Sequence, residues 1–266
     1  MSLYAGHAVA DIKIVPMPST VDPSPLVLHG WSGETMPVHL LVQHQEDRQV
    51  HIRARLYQLA PDLAAPLGEA FSVVDGLVLQ KRLFHKVEAP ITLPRVKRAV
   101  AVTLKLEARE EGEDSWVPGG QVFIVIHPPK DDLVKQCAAL ARQLANRGAD
   151  VFLVGNEPFF ATLLNQSGIP YEHAASFDQL PVDRPLVCFG RTAEWDISPL
   201  LLNQNMAVRL VTDIFHEEGI HVRRMPQGLD LRLNHYRIAS LSEARRWSLF
   251  SEILQELHQA LPPQPR

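Results

Sequence analysis

Apolar and polar residues alternate with a period of two along three stretches of the first half of the chain. Val50-His51-Ile52-Arg53-Ala54-Arg55-Leu56-Tyr57 is one of them. Ala99 to Glu107 is another, with Val100, Val102, Leu104 and Leu106 on one face, and Met36, Val38, Leu40 and Val42 make a third such face. Successive strand side chains point to opposite sides. This rhythm therefore puts one face in a core and the other in water, as in an antiparallel sheet. Ile12 to Val15, Phe71 to Val74, Leu77 to Phe84 and Gln121 to Ile126 are further strand candidates. Short strands of this kind, spaced by turn residues and prolines, predict a β-sandwich.

The rhythm changes near Pro128-Pro129-Lys130. Leu133, Cys137, Leu140, Ala141 and Leu144 recur at three- and four-residue spacing, which predicts an amphipathic helix over residues 132–147. Asp131 and Asp132 favour its start and Gly148 its stop. Val151 to Gly155 has no polar face and suits a parallel strand covered on both sides. Pro158 to Gln166 reads as a helix that stops at Gly168, while Pro185 to Gly190 and Ala207 to Thr212 read as two more buried strands. Ser240 with Glu243 forms a capping-box pattern ahead of a last helix. Trp247, Phe250, Leu254, Leu257 and Leu261 make that helix's inner stripe, and the prolines from Pro262 end it. Strands and helices in alternation predict a doubly wound α/β unit. The expected division is a β-sandwich over residues 1–128 and an α/β domain with a C-terminal helix over residues 129–266.

Composition narrows the functions open to such a chain. Hydrophobic residues are 46% and charged residues 21%, which excludes a wholly disordered or fibrous chain. Lys+Arg 26 against Asp+Glu 30 leaves a net charge of −4, so neither nucleic acid nor an anionic membrane is expected as a partner. The longest apolar runs are about five residues, where a membrane span needs ~20. No charged-then-apolar leader opens the sequence, so a soluble chain without a signal peptide is expected, its compartment left open. Cys137 and Cys188 are too few for a disulfide scaffold, and they read as buried thiols.

The chemical motifs are weak. His29-Gly30-Trp31-Ser32-Gly33 lacks the spacing of a nucleophile elbow and reads as a turn before a strand. His216 and His221 are five apart with Gly219 between them, off a common helix face, so no metal site is expected. Cys188, His216 and Glu218 match the residue types of the class I glutamine amidotransferase triad. Leu186, however, stands where that family has a glycine, and the interval from Cys188 to His216 is much shorter than the family's. No catalytic residue is therefore assigned. There is no Gly-x-Gly-x-x-Gly or Walker loop to cradle a nucleotide, and no cofactor is expected. What remains are the segments that follow the buried strands, where open α/β sheets bind ligands. They supply Asn156, Glu157, Arg191, Glu194 and Asp213 as candidate ligand-binding residues.

The order of the parts resembles a known family. Residues 27–128 resemble the immunoglobulin-like domains of glycoside hydrolase family 2 enzymes, the β-galactosidase and β-mannosidase group. The likeness is carried by Trp31 to Val42, Val50 to Tyr57, Ala99 to Glu107 and Gly120 to Pro128. Residues 131–260 resemble the degenerate, flavodoxin-like amidotransferase domains attached to some of these hydrolases. The family's catalytic residues lie on a (β/α)₈ barrel that needs ~250 residues of its own, so the resemblance implies a non-catalytic accessory region. Its implied partners are a catalytic barrel domain of the same parent chain and carbohydrate, with homo-oligomerisation left open. Alternatives are a small-ligand-binding or hydrolytic α/β domain acting at the strand edges, and a protein-interaction module. The chain alone is expected to hydrolyse no glycoside.

Overall fold

The computed structural model describes residues 12–17, 27–60, 63–181, 185–192, 205–211, 220–225, 228–235, 238 and 241–260. The chain is rich in β-structure and divides into two units, residues 1–129 and 130–266.

In the first unit β1 (Lys13–Pro16), β3 (Thr35–Gln43) and β6 (His85–Thr92) form an antiparallel sheet in the order β1-β3-β6. A second sheet has the order β2-β8-β7-β4-β5, from β2 (Val27–Trp31), β4 (Arg48–Ala60), β5 (Leu63–Leu79), β7 (Val100–Glu110) and β8 (Val117–His127). Here β2 runs parallel to β8 and the other pairs are antiparallel. The period-two residues of both sheets meet in one core. Val38, Leu40, Val42, Val87 and Ile91 come from one sheet; Val50, Ile52, Leu104, Leu106 and Ile124 come from the other. Each such side chain taken from water contributes about 1.5–3 kcal/mol.

Local differences from the sequence pattern have physical reasons. Phe71–Val74 and the start of Leu77–Phe84 belong to one strand, β5, whose register against β4 slips beside Gly76 at φ +70°. His29-Gly30-Trp31 is strand, not turn; the turn is confined to Ser32-Gly33. Besides Pro16, which ends the edge strand β1, four prolines among the described residues sit inside strands, each where the ladder is open on one side. Pro66 and Pro90 lie on the edge strands β5 and β6. Pro37 and Pro118 precede the stretches where β1 and β2 pair with their strands.

In the second unit α1 (Lys130–Ala145) leads to a six-stranded sheet of order β10-β9-β11-β12-β14-β13. Its strands are β9 (Asp150–Val154), β10 (Glu172–Ala174), β11 (Leu186–Thr192), β12 (Asn205–Val211), β13 (His221–Met225) and β14 (Gly228–Asn234). All neighbours are parallel except β13, which runs antiparallel to β14 at one edge. The helices α2 (Pro158–Gln166) and α3 (Glu243–Ala260) share a face of this sheet. Phe189 of β11 lies 5.2 Å from the Phe160 ring of α2 and 6.2 Å from the Phe250 ring of α3. Helices α1 and α3 lie side by side in the same direction. Lys130 Nζ reaches Glu243 Oε1 at 2.6 Å near their starts, and Arg147 Nη1 donates to the His258 carbonyl at 3.0 Å near their ends. On the other face Phe152, Val154, Leu186, Cys188 and Ala207 pack against Leu180 and Phe177. No helix among the described residues is long and apolar enough to cross a membrane.

Candidate functional site

The strand order sets where the second unit can bind. β9 is flanked by β10 on one side and β11 on the other, so the chain leaves β9 in one direction and continues past it in the opposite one. At such a reversal the connections after the two central strands splay apart and leave a crevice at their C-terminal ends.

The sequence shapes one wall closely. Gly155 follows β9 at φ +68°, a conformation that glycine adopts without strain, and its N–H donates to the Ala174 carbonyl at 2.8 Å. Glu157 then caps α2. Its Oε1 accepts the Phe159 N–H at 3.1 Å, and Pro158 takes the first helical position. A carboxylate there is also favoured by the helix dipole. The opposite wall is β11, whose Arg191 pairs in register with Leu210 of β12 and projects an exposed side chain.

A cleft of about 420 Å³ lies between them, lined by Val154, Gly155, Asn156, Glu157, Pro158, Arg191 and His235. Three sequence-derived candidates, Asn156, Glu157 and Arg191, thus meet in one place. Glu194 and Asp213 lie outside the described residues, as do His216 and Glu218. His235 carries no signal in the apolar pattern, because it follows β14, a strand without an unbroken apolar run.

A second cavity of about 360 Å³ adjoins the first and shares Glu157, Pro158 and His235 with it. It runs between α2 and α3, where Phe159, Leu163, Leu210, Ile238 and Trp247 form an apolar part of its wall and Thr162, Gln166, Glu243 and Arg246 a polar part. An apolar wall beside converging polar groups is the usual make-up of a small-molecule site.

Cys188 takes no part in it. The residue sits inside β11 between Phe152 of β9 and Ala207 of β12, on the face away from α2 and α3. It is 1% exposed, and its Sγ–H donates to the Met206 carbonyl at 3.4 Å. Burial pushes its thiol up to about 12, so the thiolate needed for attack on a carbonyl is absent near neutrality. Cys137 is equally buried and is pushed up to about 12 for the same reason, partly offset by a hydrogen bond with Ser251. Among the described residues no group of His, Cys, Asp and Glu side chains has the geometry to hold a metal ion.

No protein-family model matches the chain. No curated protein matches it either. Among solved structures, it is similar to a Niemann-Pick type C2 protein from Japanese carpenter ant, at 17% identity over 44% of this chain and 89% of that one, with a TM-score of 0.30. Another is the sporulation control protein Spo0M from Bacillus subtilis, at 12% identity over 51% of this chain and 56% of that one, also with a TM-score of 0.30. At these scores neither likeness bears on function.

Proposed function

We propose that the chain is a non-catalytic accessory region of a carbohydrate-active enzyme, and that its α/β unit binds a small polar ligand in the crevice after β9 and β11. The observation that carries the binding role is the convergence of Asn156, Glu157, Arg191 and His235 on one cleft at the point where the strand order reverses. The fold supports the family reading in two ways. With β1 and β2 as a first strand split between the sheets, the orders β1-β3-β6 and β8-β7-β4-β5 correspond to the immunoglobulin-like pattern of first, second and fifth strands facing the last two and the third. Counted from β9, the parallel sheet begins 2-1-3-4, the flavodoxin-like order. The inert Cys188 favours binding over amide hydrolysis.

Calorimetric titration of the full chain with galactose, mannose, glucuronate and free L-amino acids tests the proposal, with chromogenic β-galactoside, β-mannoside and β-glucuronide assays beside it. The expected result is binding of at least one compound, lost in Arg191→Ala or Asn156→Ala, and no turnover. Binding indifferent to both substitutions, or turnover abolished by Glu157→Gln, would overturn it.

A further inference from the structure

Within that crevice we infer a preference for a zwitterionic ligand with an apolar body, of the class of hydrophobic α-amino acids; the inference rests on the crevice being the ligand site. Glu157 is 6% exposed and lines both cavities. One of its oxygens caps α2, and among the described residues no hydrogen bond or ion pair reaches the other. A charge–charge contact made at a side chain so little exposed is stronger than the same contact in open water. The described residues bring no cation to this carboxylate, so a ligand that carries an ammonium group gains the most here.

Arg191 presents the opposite chemistry to the same cleft. Its guanidinium is exposed and, among the described residues, makes no hydrogen bond or ion pair. Its planar fork matches a carboxylate through two parallel N–H bonds. An acceptor and a donor of fixed sign, facing one cleft of about 420 Å³, select a head group with both charges close together. The apolar wall of the adjoining cavity, formed by Phe159, Leu163, Leu210, Ile238 and Trp247, opens beside Glu157. A side chain attached next to the ammonium group would enter that cavity. A neutral sugar would satisfy the polar groups less well and would leave this cavity empty.

Titration of the full chain with L-phenylalanine, 3-phenylpropanoate, which lacks the ammonium, and phenethylamine, which lacks the carboxylate, tests each half of the head group. L-phenylalanine is expected to bind at least tenfold more tightly than either analogue. Glu157→Gln keeps an oxygen to cap α2. It should weaken L-phenylalanine at least tenfold without weakening 3-phenylpropanoate, and Arg191→Ala should do the same relative to phenethylamine. Equal binding of L-phenylalanine and 3-phenylpropanoate, or binding insensitive to both substitutions, overturns the inference. Octyl glucoside binding that Arg191→Ala abolishes, with no binding of L-phenylalanine, overturns it too but leaves the crevice as a ligand site. If neither these compounds nor the sugars bind, both readings fall.

Discussion

Arg209 of β12 and Asp230 of β14 grip each other through two hydrogen bonds, Nε to Oδ1 at 2.8 Å and Nη2 to Oδ2 at 2.7 Å, with both side chains 1% exposed. Arg232 adds a third at 2.7 Å on the same carboxylate. The three lie on the sheet face that also carries Cys188 and Ala207. Removing one member of such a pair strands a buried charge, which costs about 3–5 kcal/mol. Asp230→Ala should therefore lower the urea stability of the 130–266 unit by that amount. A double change of Arg209 and Asp230 to apolar residues of similar size should recover much of it. A single-mutant loss under about 1 kcal/mol would mean that the pair is not buried as described.

This pair also hides part of the fold from the sequence pattern. Gly228-Leu229-Asp230-Leu231-Arg232-Leu233 alternates like a strand with one wet face, yet Asp230 is fully buried because Arg209 compensates it. A search for unbroken apolar runs finds β9, β11 and β12 but passes over β14 and its edge neighbour β13. His235, at the end of β14, was lost with them. In the first unit the alternation survives because the residues on the wet faces are free to be polar, and β3, β4 and β7 could be read almost to their ends. β6 is faint in the sequence because Pro90 and Ala89 weaken a pattern that Val87 and Ile91 otherwise carry. Of the candidate site, Asn156, Glu157 and Arg191 are legible because each follows or ends an apolar run. The apolar wall of the second cavity is not, since its residues look like ordinary core until α2 and α3 are placed.

Gly120 of β8 is required by a close approach. A Cβ there would stand 2.0 Å from the Ile14 carbonyl oxygen of β1, a backbone atom that cannot swing aside. Gly120→Ala should destabilise the first unit by at least about 1–3 kcal/mol, measured as a shift in the urea midpoint with unchanged slope. Wild-type stability in this variant would show that β1 does not lie there.

The two thiols should be slow. With both pushed up to about 12 by burial, the native protein at pH 8 should react with a disulfide reagent far more slowly than free cysteine, and fully only in denaturant. The raised values also carry a pH dependence. The thiols' contribution to stability is complete below about 9, the ordinary value, and is lost as the pH rises from there towards 12, because only the unfolded chain ionises in that window. Fast labelling of native Cys188 would contradict this picture.

His51 should titrate late. Its Nδ1 lies 2.5 Å from Asp75 Oδ1 and its Nε2 2.5 Å from Glu111 Oε2. Hydrogen bonds donated to Asp75, and then to Glu111, raise it above 6.5. Its stabilising effect is present in full below 6.5 and fades as the pH rises through the raised value. Proton NMR of the imidazole should give a midpoint above 6.5 that moves back down in Asp75→Asn and further in the double change with Glu111→Gln. A midpoint at or below 6.5 in the native protein would mean the two carboxylates do not bracket the ring.

The crevice itself is tested most directly by amide NMR of the isotope-labelled full chain, with L-phenylalanine and glucuronate added separately to saturation. At least one of them is predicted to shift the amides of Gly155, Asn156, Glu157, Gly190, Arg191 and His235 most strongly, with the pattern erased in Arg191→Ala. Shifts that cluster elsewhere, or spectra unchanged by both compounds, would contradict the claim that this chain binds its ligand where β9 and β11 part.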